Sequence, residues 1–320
     1  MLRYVLKDKD DFFFHPIIHV VLSKLYIVFT TNKISIHKKI ILFSKFFLCF
    51  VFSFVSILLF NIDDLCFHYK KNPIKSPFFI IGKFRSASTF AHRELLKSNP
   101  SFISPTFREC LFPFLCIQYL LDFFELFFDF DILLNSFFGH NILTKHQMGF
   151  NLEEEDDLLI STYFGIGWYN ILQFPFFENW FLNSNVNNFS DCEKNNVYSF
   201  YQKFYQKIIY KRGNKNSILL AKSHMVDMTD FYHSFPNATI IHVERQQNKV
   251  HESTLSLFKL VHQQLHDISY DECIYHKNLN LFYQIFENAQ QQLKNTIHID
   301  FSKKVDITEI VKNKTLTKII

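Results

Sequence analysis

The stretch FFIIGKFRSASTFAHRELLKSNP, Phe78 to Pro100, runs from four consecutive apolar residues through a small hydroxyl-rich loop into a segment of mixed polarity. A short apolar run bounded by Pro77 and Gly82 is the pattern of a buried strand, and STFAHRELLKSN carries helical spacing with Phe90 and Leu95 on its apolar side. The loop therefore joins a strand end to a helix start. There the backbone N–H groups of KFRSAST would point outward with no intrahelical partner, Ser86, Ser88 and Thr89 would add hydroxyl donors, and the lone Arg85 would supply a planar cationic fork. Together these make a phosphate cradle. It is not a Walker A loop, because no lysine follows a second glycine, so nucleotide hydrolysis is disfavoured.

The rest of the chain sets limits on this reading. With 320 residues and 48% apolar composition it can bury a large core, and the 42 phenylalanines are read mostly as core. A formal charge of +4 gives no dense basic face, and no zinc-finger or RNA-recognition signature is present, so nucleic acid is excluded as a partner. The six cysteines are scattered without a C-x-x-C pair, and a protein without metal is expected.

Residues Ile40–Ile62, IILFSKFFLCFVFSFVSILLFNI, carry one charge, Lys45, and are long enough to span a bilayer. Lys33, Lys38 and Lys39 precede the run and Asp63 and Asp64 follow it, which keeps the N-terminus cytosolic and sends the bulk of the chain across. The expected organisation is a cytosolic tail (1–39), a retained signal anchor (40–62), a short stem (63–75) and a luminal domain (76–320). The competing reading of the run is a Phe-rich core helix. Asn188, Asn237 and Asn313 open glycosylation acceptors that only the secretory lumen would use. Five luminal cysteines allow at most two disulfides. A second apolar stretch, Pro16–Thr30, has no assigned role.

A second segment, SILLAKSHMVDMTDFYHSFPNATIIHVERQQNKVHESTLSLF, runs from Ser217 to Phe258. ATIIHVE reads as a buried strand, which brings Arg245 out at its carboxyl end, where open α/β sheets bind ligands. The two segments together resemble sulfotransferases of the membrane and carbohydrate-type branch. FRSAST stands where that family has P-R-S-G-T-T, with Phe84 for the proline and Ala87 for the glycine. The second half of the resemblance lies in Lys222-Ser223-His224, Phe235-Pro236-Asn237-Ala238, Arg245 and Ser253, in the family's order and spacing. Gln246-Gln247 replaces the usual Asp-Pro. Ala87 is tolerable if the backbone there keeps a negative φ.

The resemblance extends from about Ser76 to Val311. It implies a P-loop-like, three-layer α/β/α domain with a central parallel sheet, here preceded by one transmembrane helix. It also implies transfer of a sulfuryl group from 3′-phosphoadenosine 5′-phosphosulfate (PAPS) to an acceptor hydroxyl or amine, without metal, in a type II protein of the Golgi or another secretory membrane. Carbohydrate is the implied acceptor class, with peptide and small-alcohol acceptors open. Arg85, Ser86, Ala87, Ser88, Thr89, Arg245 and Ser253 would bind the donor: Arg85 with the loop amides and Lys222 would stabilise the leaving 5′-phosphate, while Arg245 and Ser253 would hold the 3′-phosphate. The base is either His224 or Glu109, the latter lying shortly before Phe112-Pro113.

HQMGFNLEEEDDLLI, His146–Ile160, is open to two readings: it resembles the family's acidic patch that begins a helix lining the acceptor side, or it is a plain helix start with Asn151 as cap and acids favoured by the dipole. YSFYQKFYQKIIYKRG has the spacing of an amphipathic helix ending near Gly213 and is read as packing. His92, His233 and His262 are taken as surface or core. Two other functions remain in play, a non-catalytic protein with a decayed sulfotransferase fold and a small-molecule kinase.

Overall fold

Phe78–Gly82, the first strand (β1), lies at the centre of a parallel sheet, and all five of its residues are buried. A computed structural model of the chain describes residues 25–26, 29–30, 35–138, 148–164, 167, 186, 189–225, 228–235, 237–265 and 272–301. In chain order come α1 (Ile36–Cys66), a 3₁₀ turn (Tyr69–Lys71), β1, α2 (Ser88–Ser98), β2 (Phe102–Ile103), α3 (Phe107–Leu111), α4 (Leu115–Phe124) and α5 (Phe130–Phe138). There follow α6 (Asp157–Leu159) with a π-helical turn (Ile160–Phe164), α7 (Asp191–Arg212), β3 (Ile218–Ser223), α8 (Thr229–His233), β4 (Thr239–Glu244), α9 (Gln247–Leu265), α10 (Glu272–Gln290) and β5 (Thr296–Asp300).

The strand order is β2-β3-β1-β4-β5, and every pairing among the described strands is parallel. Successive side chains of a strand alternate between faces, and the core divides accordingly. Phe79, Ile81, Leu219, Ala221 and Ile240 face a large cluster shared with α7, α8, α9 and α10. Phe78, Ile80, Leu220, Ile241 and Val243 face a smaller one closed by Ala91 and Leu95 of α2. Because both faces are covered, the strands read as near-continuous apolar runs. The expected three-layer α/β arrangement is what forms. Chain order reverses direction about β1, so the crevice at the carboxyl ends of β1, β3 and β4 is the place where such sheets bind ligands.

The buried stripe of α2 is Ser88, Ala91, His92 and Leu95, an i, i+3, i+4, i+7 set; Phe90 is exposed and its ring packs edge-on against that of Phe301. His92 is core, its Nε2 2.7 Å from Ser104 Oγ, while His233 is exposed and His262 lies outside the described side chains. Helix α7 starts at a capping box between Ser190 and Glu193 and stops at Gly213, as its spacing predicts.

Helix α1 covers the predicted membrane run, but its last turns belong to the folded domain. Ser56 and Phe60 are buried, Asp63 is fully enclosed, and Tyr69 beyond it has no exposed surface, so the expected stem at 63–75 is no free linker. Among the described residues no helix is long and apolar enough to cross a membrane; the side chains at 38, 41–42, 45–46, 48–50 and 52–54, Lys45 among them, lie outside that description. So do Lys33, most of Pro16–Thr30, Asn188, Asn313 and everything after Phe301. Cys66, Cys110, Cys116, Cys192 and Cys273 are all free thiols, so none of the five forms the luminal disulfides the sequence allowed.

Candidate active site

Beyond Gly82 the chain must turn sharply to start α2, and it does so with Arg85 at φ 60° and Ala87 at φ 74°. The condition under which Ala87 would be unstrained, a negative φ, is not met. A left-handed backbone costs an L-residue about 1–2 kcal/mol, and glycine would escape that cost at the expense of about 0.5–1 kcal/mol of extra unfolded-chain freedom. Ala87→Gly is therefore expected to stabilise the protein by about 0.5–1 kcal/mol, read as a rise in the denaturant midpoint at unchanged slope; a fall would contradict the strained-turn account.

Gly82 is required here for space. A Cβ on it would lie 2.5 Å from Ser86 Oγ and 3.0 Å from the Val243 carbonyl oxygen, so the loop folds back against the strand only because the side chain is missing. Ser86 Oγ is buried without a hydrogen-bond partner, and Ala87, as the residue capping α2, offers no side-chain acceptor. The first-turn N–H groups of α2 thus stay available for an anion.

The side chain of Arg85 crosses to α9, where its Nε donates to Ser253 Oγ at 3.0 Å. Burial, and then the charge of Arg245, depress the Arg85 guanidinium from its ordinary value. Two cations and a hydroxyl from two distant segments, the β1–α2 loop and the β4–α9 junction, therefore share one corner, and a bound anion would relieve the repulsion between the arginines.

On the other side of the loop, Lys222 reaches Thr89 Oγ1 at 2.9 Å and forms a close ion pair with Glu155. Burial alone would lower the Lys222 ammonium, but Glu155 and Glu154 outweigh it and raise it. His224 is enclosed with its ring 4.6 Å from that of Phe84. Its Nδ1 contacts the Gly82 carbonyl, which can only accept, so Nδ1 carries a proton. Its Nε2 lies 3.3 Å from Glu155 Oε2. Burial pushes this imidazole down, yet Glu155 and then Asp157 overcome it and hold the group above its usual range.

Glu155 is the residue that sequence reasoning did not single out. The acidic run is not a helix start capped by Asn151: Glu154, Glu155, Asp156 and Asp157 are all buried, and Asn151 bonds instead to Glu125. Asp157 accepts from Ser223 Oγ at 2.6 Å and from the His224 amide at 2.7 Å. The backbone N–H of Asp156 donates to the Lys222 carbonyl at 3.0 Å, and its carboxyl takes the Tyr205 hydroxyl. Tyr201 also donates to the Asp156 carbonyl, at 3.1 Å, so two tyrosines of α7 that the spacing assigns to packing hold the acidic segment in place. Burial, reinforced by Asp157, drives the Asp156 carboxyl well above the ordinary carboxylate range. The signal in the sequence was five consecutive acids after an isolated Asn-Leu; which of them meets Lys222 was not readable.

Glu109 sits elsewhere in the bonding scheme. One oxygen takes the Thr106 amide and hydroxyl, each at 3.0 Å, and Arg212 binds the carboxylate with both Nε and Nη2, at 2.9 and 2.8 Å. It is the third-position partner of Thr106 in the capping box of α3 and the anchor of the α7 C-terminus.

The profile of the sulfotransferase family matches residues 77–308. The chain belongs to that family. The sulfotransferase fold is also found by superposition. STF9, a sulfotransferase from Mycobacterium avium, matches with a TM-score of 0.67 at 13% identity, over 96% of this chain and 79% of that one. STF1 from Mycobacterium tuberculosis H37Rv gives 0.61 at 14% identity, over 93% and 80%. At such identities the likeness speaks for the fold alone. A comparison with curated proteins gives no match. The family match ends the small-molecule kinase reading and makes sulfate transfer the activity class.

Proposed function

We propose that this sulfotransferase moves a sulfuryl group from PAPS to a hydroxyl or amine of an acceptor, with carbohydrate as the acceptor class. The observation that carries the reading is the meeting, around the one loop 83–88, of Arg85 with Ser253 on one side and of Lys222 with Thr89 on the other. PAPS, when bound, supplies an activated S–O bond and two phosphate groups to hold. The residues present fit such a ligand: an orphan buried hydroxyl at Ser86, an uncapped helix start, and paired guanidinium groups.

Arg85, Arg245 and Ser253 would hold the 3′-phosphate, which moves Arg85 from the leaving-group side, where the sequence places it, to this one. Lys222 and the loop amides would neutralise the charge that develops on the 5′-phosphate oxygen as the S–O bond breaks and the acceptor oxygen bonds to sulfur. The proton released by the acceptor would pass to Nε2 of His224, with Glu155 balancing the imidazolium so formed.

Equilibrium binding of adenosine 3′,5′-bisphosphate, with turnover of labelled PAPS, tests the site. Arg85→Ala and Arg245→Ala are each expected to weaken nucleotide binding by about 1.5–3 kcal/mol, the worth of a hydrogen bond to a charged group, with the fold intact. Unchanged affinity in both variants would refute the assignment. Binding without turnover by the parent chain would favour the decayed, non-catalytic reading.

We further propose that the protein is held at a secretory-pathway membrane, the Golgi being the expected one, with the catalytic domain luminal. Support comes from the apolar run, the lysines before it, and the exposed acceptor Asn237. Since the turns from Ser56 onward belong to the domain, the embedded part would end before Ser56. The full-length chain is expected to resist carbonate extraction and to lose mass with an endoglycosidase. Recovery in the soluble fraction with unchanged mass would defeat this reading.

A further inference from the structure

We propose that His242, Glu244 and His298 form a binding site for one divalent transition-metal ion, of zinc-like chemistry, between β4 and β5. Two features of the fold build it. His242 and His298 are register partners on adjacent parallel strands, and Glu244, two residues beyond His242, shares its face. That face is opposite the one bearing Lys222, so the group is separate from the chemistry described above.

The distances suit a small ion. His242 Nδ1 lies 3.2 Å from His298 Nδ1 and 3.2 Å from Glu244 Oε1, and one donor atom from each residue falls within 4.8 Å of the others. A tetrahedral ion with bonds of about 2.0–2.1 Å has ligands separated by about 3.3–3.4 Å. Two edges of such a tetrahedron are already formed. The third closes by rotation of Glu244 or His298, both of which are exposed at the site.

Hydrogen bonding does not account for the cluster. Gln290 Nε2 also approaches His242 Nδ1, at 2.9 Å, so three polar groups converge on one nitrogen. An imidazole nitrogen has a single in-plane position, holding either one proton or one lone pair. A metal ion between the groups would serve the two histidines and the carboxylate at once. His242 is enclosed and its ring lies 5.5 Å from that of Phe286, which fixes one ligand in advance, while the exposed pair leaves an entry path. Two imidazoles and a carboxylate are a donor set for zinc, with an open fourth position.

The group was not readable in the sequence, because its ligands come from separate strands and no close-spaced motif links them. The expectation of a metal-free protein rested on the absence of such motifs.

Calorimetric titration of zinc into the full-length, chelator-treated chain tests the proposal, with cobalt(II) absorption reporting the coordination. One ion per chain is expected for the parent protein, with a visible band of a four-coordinate cobalt site. His298→Ala, an exposed position whose loss leaves the core untouched, is expected to abolish both signals at the same concentrations, and Glu244→Gln to weaken them at least tenfold. Absence of zinc binding by the parent chain, or an isotherm that His298→Ala leaves unchanged, would overturn the site.

Discussion

His224→Ala is expected to lower kcat by on the order of 10²–10⁴-fold while leaving affinity for adenosine 3′,5′-bisphosphate nearly intact, because the imidazole is assigned to proton uptake and the nucleotide to the arginines. The pH profile makes the expectation specific. A base must be unprotonated to act, and Glu155 and Asp157 outweigh burial to hold His224 above its ordinary range. The acid limb of kcat/KM should therefore lie above the usual imidazole value of about 6.5. Glu155→Gln removes the largest raising influence and leaves burial, so the limb should move to lower pH. Glu109→Gln is expected to behave differently: it breaks the α3 capping box and strands the Arg212 fork, so stability falls while the pH profile of the folded fraction stays in place. If Glu109→Gln shifts the limb and Glu155→Gln does not, the base has been assigned to the wrong carboxylate partner.

The second large effect concerns the junction between α1 and the domain. Asp63 is fully buried, lies 2.8 Å from Lys207 Nζ, and accepts the Leu115 and Cys116 amides at 2.7 and 2.9 Å, where α4 begins. Lys207 packs its ammonium 3.6 Å above the Phe60 ring. Removing one member of an enclosed pair leaves a charge without its partner, a loss of about 3–5 kcal/mol. Asp63→Asn should therefore destabilise strongly at neutral pH, read as a lowered denaturant midpoint.

The sign of its pH dependence follows from Lys207, which burial, outweighing Asp63, already depresses to about 8. A lysine whose folded-state pKa is below its unfolded value of about 10.4 binds fewer protons when folded, so stability rises with pH between the two. Without Asp63 the folded value drops further and the gain starts at lower pH, so the damage in Asp63→Asn should shrink under alkaline conditions. The paired replacement Asp63→Leu with Lys207→Met should lose less than either single change. Additive losses would show that the pair is not coupled.

The periodicity of β1, the strand-to-helix turn after it, and the amphipathic α7 ending at Gly213 were all readable, because alternation and helical spacing are properties of neighbouring residues. So was the order of Lys222, Arg245 and Ser253 along the chain, and with it the family. What the sequence left open concerns depth and partnership. NLEEEDD reads equally well as a helix start or a site wall; only Lys222, His224, Tyr201 and Tyr205, brought in from distant segments, turn four of its acids inward, since a carboxylate is buried only where cations and donors offset its desolvation. The backbone sign at Ala87 was likewise undecided until Gly82 and Ser86 were seen to force the turn. The apolar run at Ile40–Ile62 looks uniform in one dimension, yet Phe60 joins the core beside α4 and α7. Local pattern thus determined the elements and their order, while tertiary contact decided which charges are enclosed, because electrostatic partners are chosen by distance in space and not by separation along the chain.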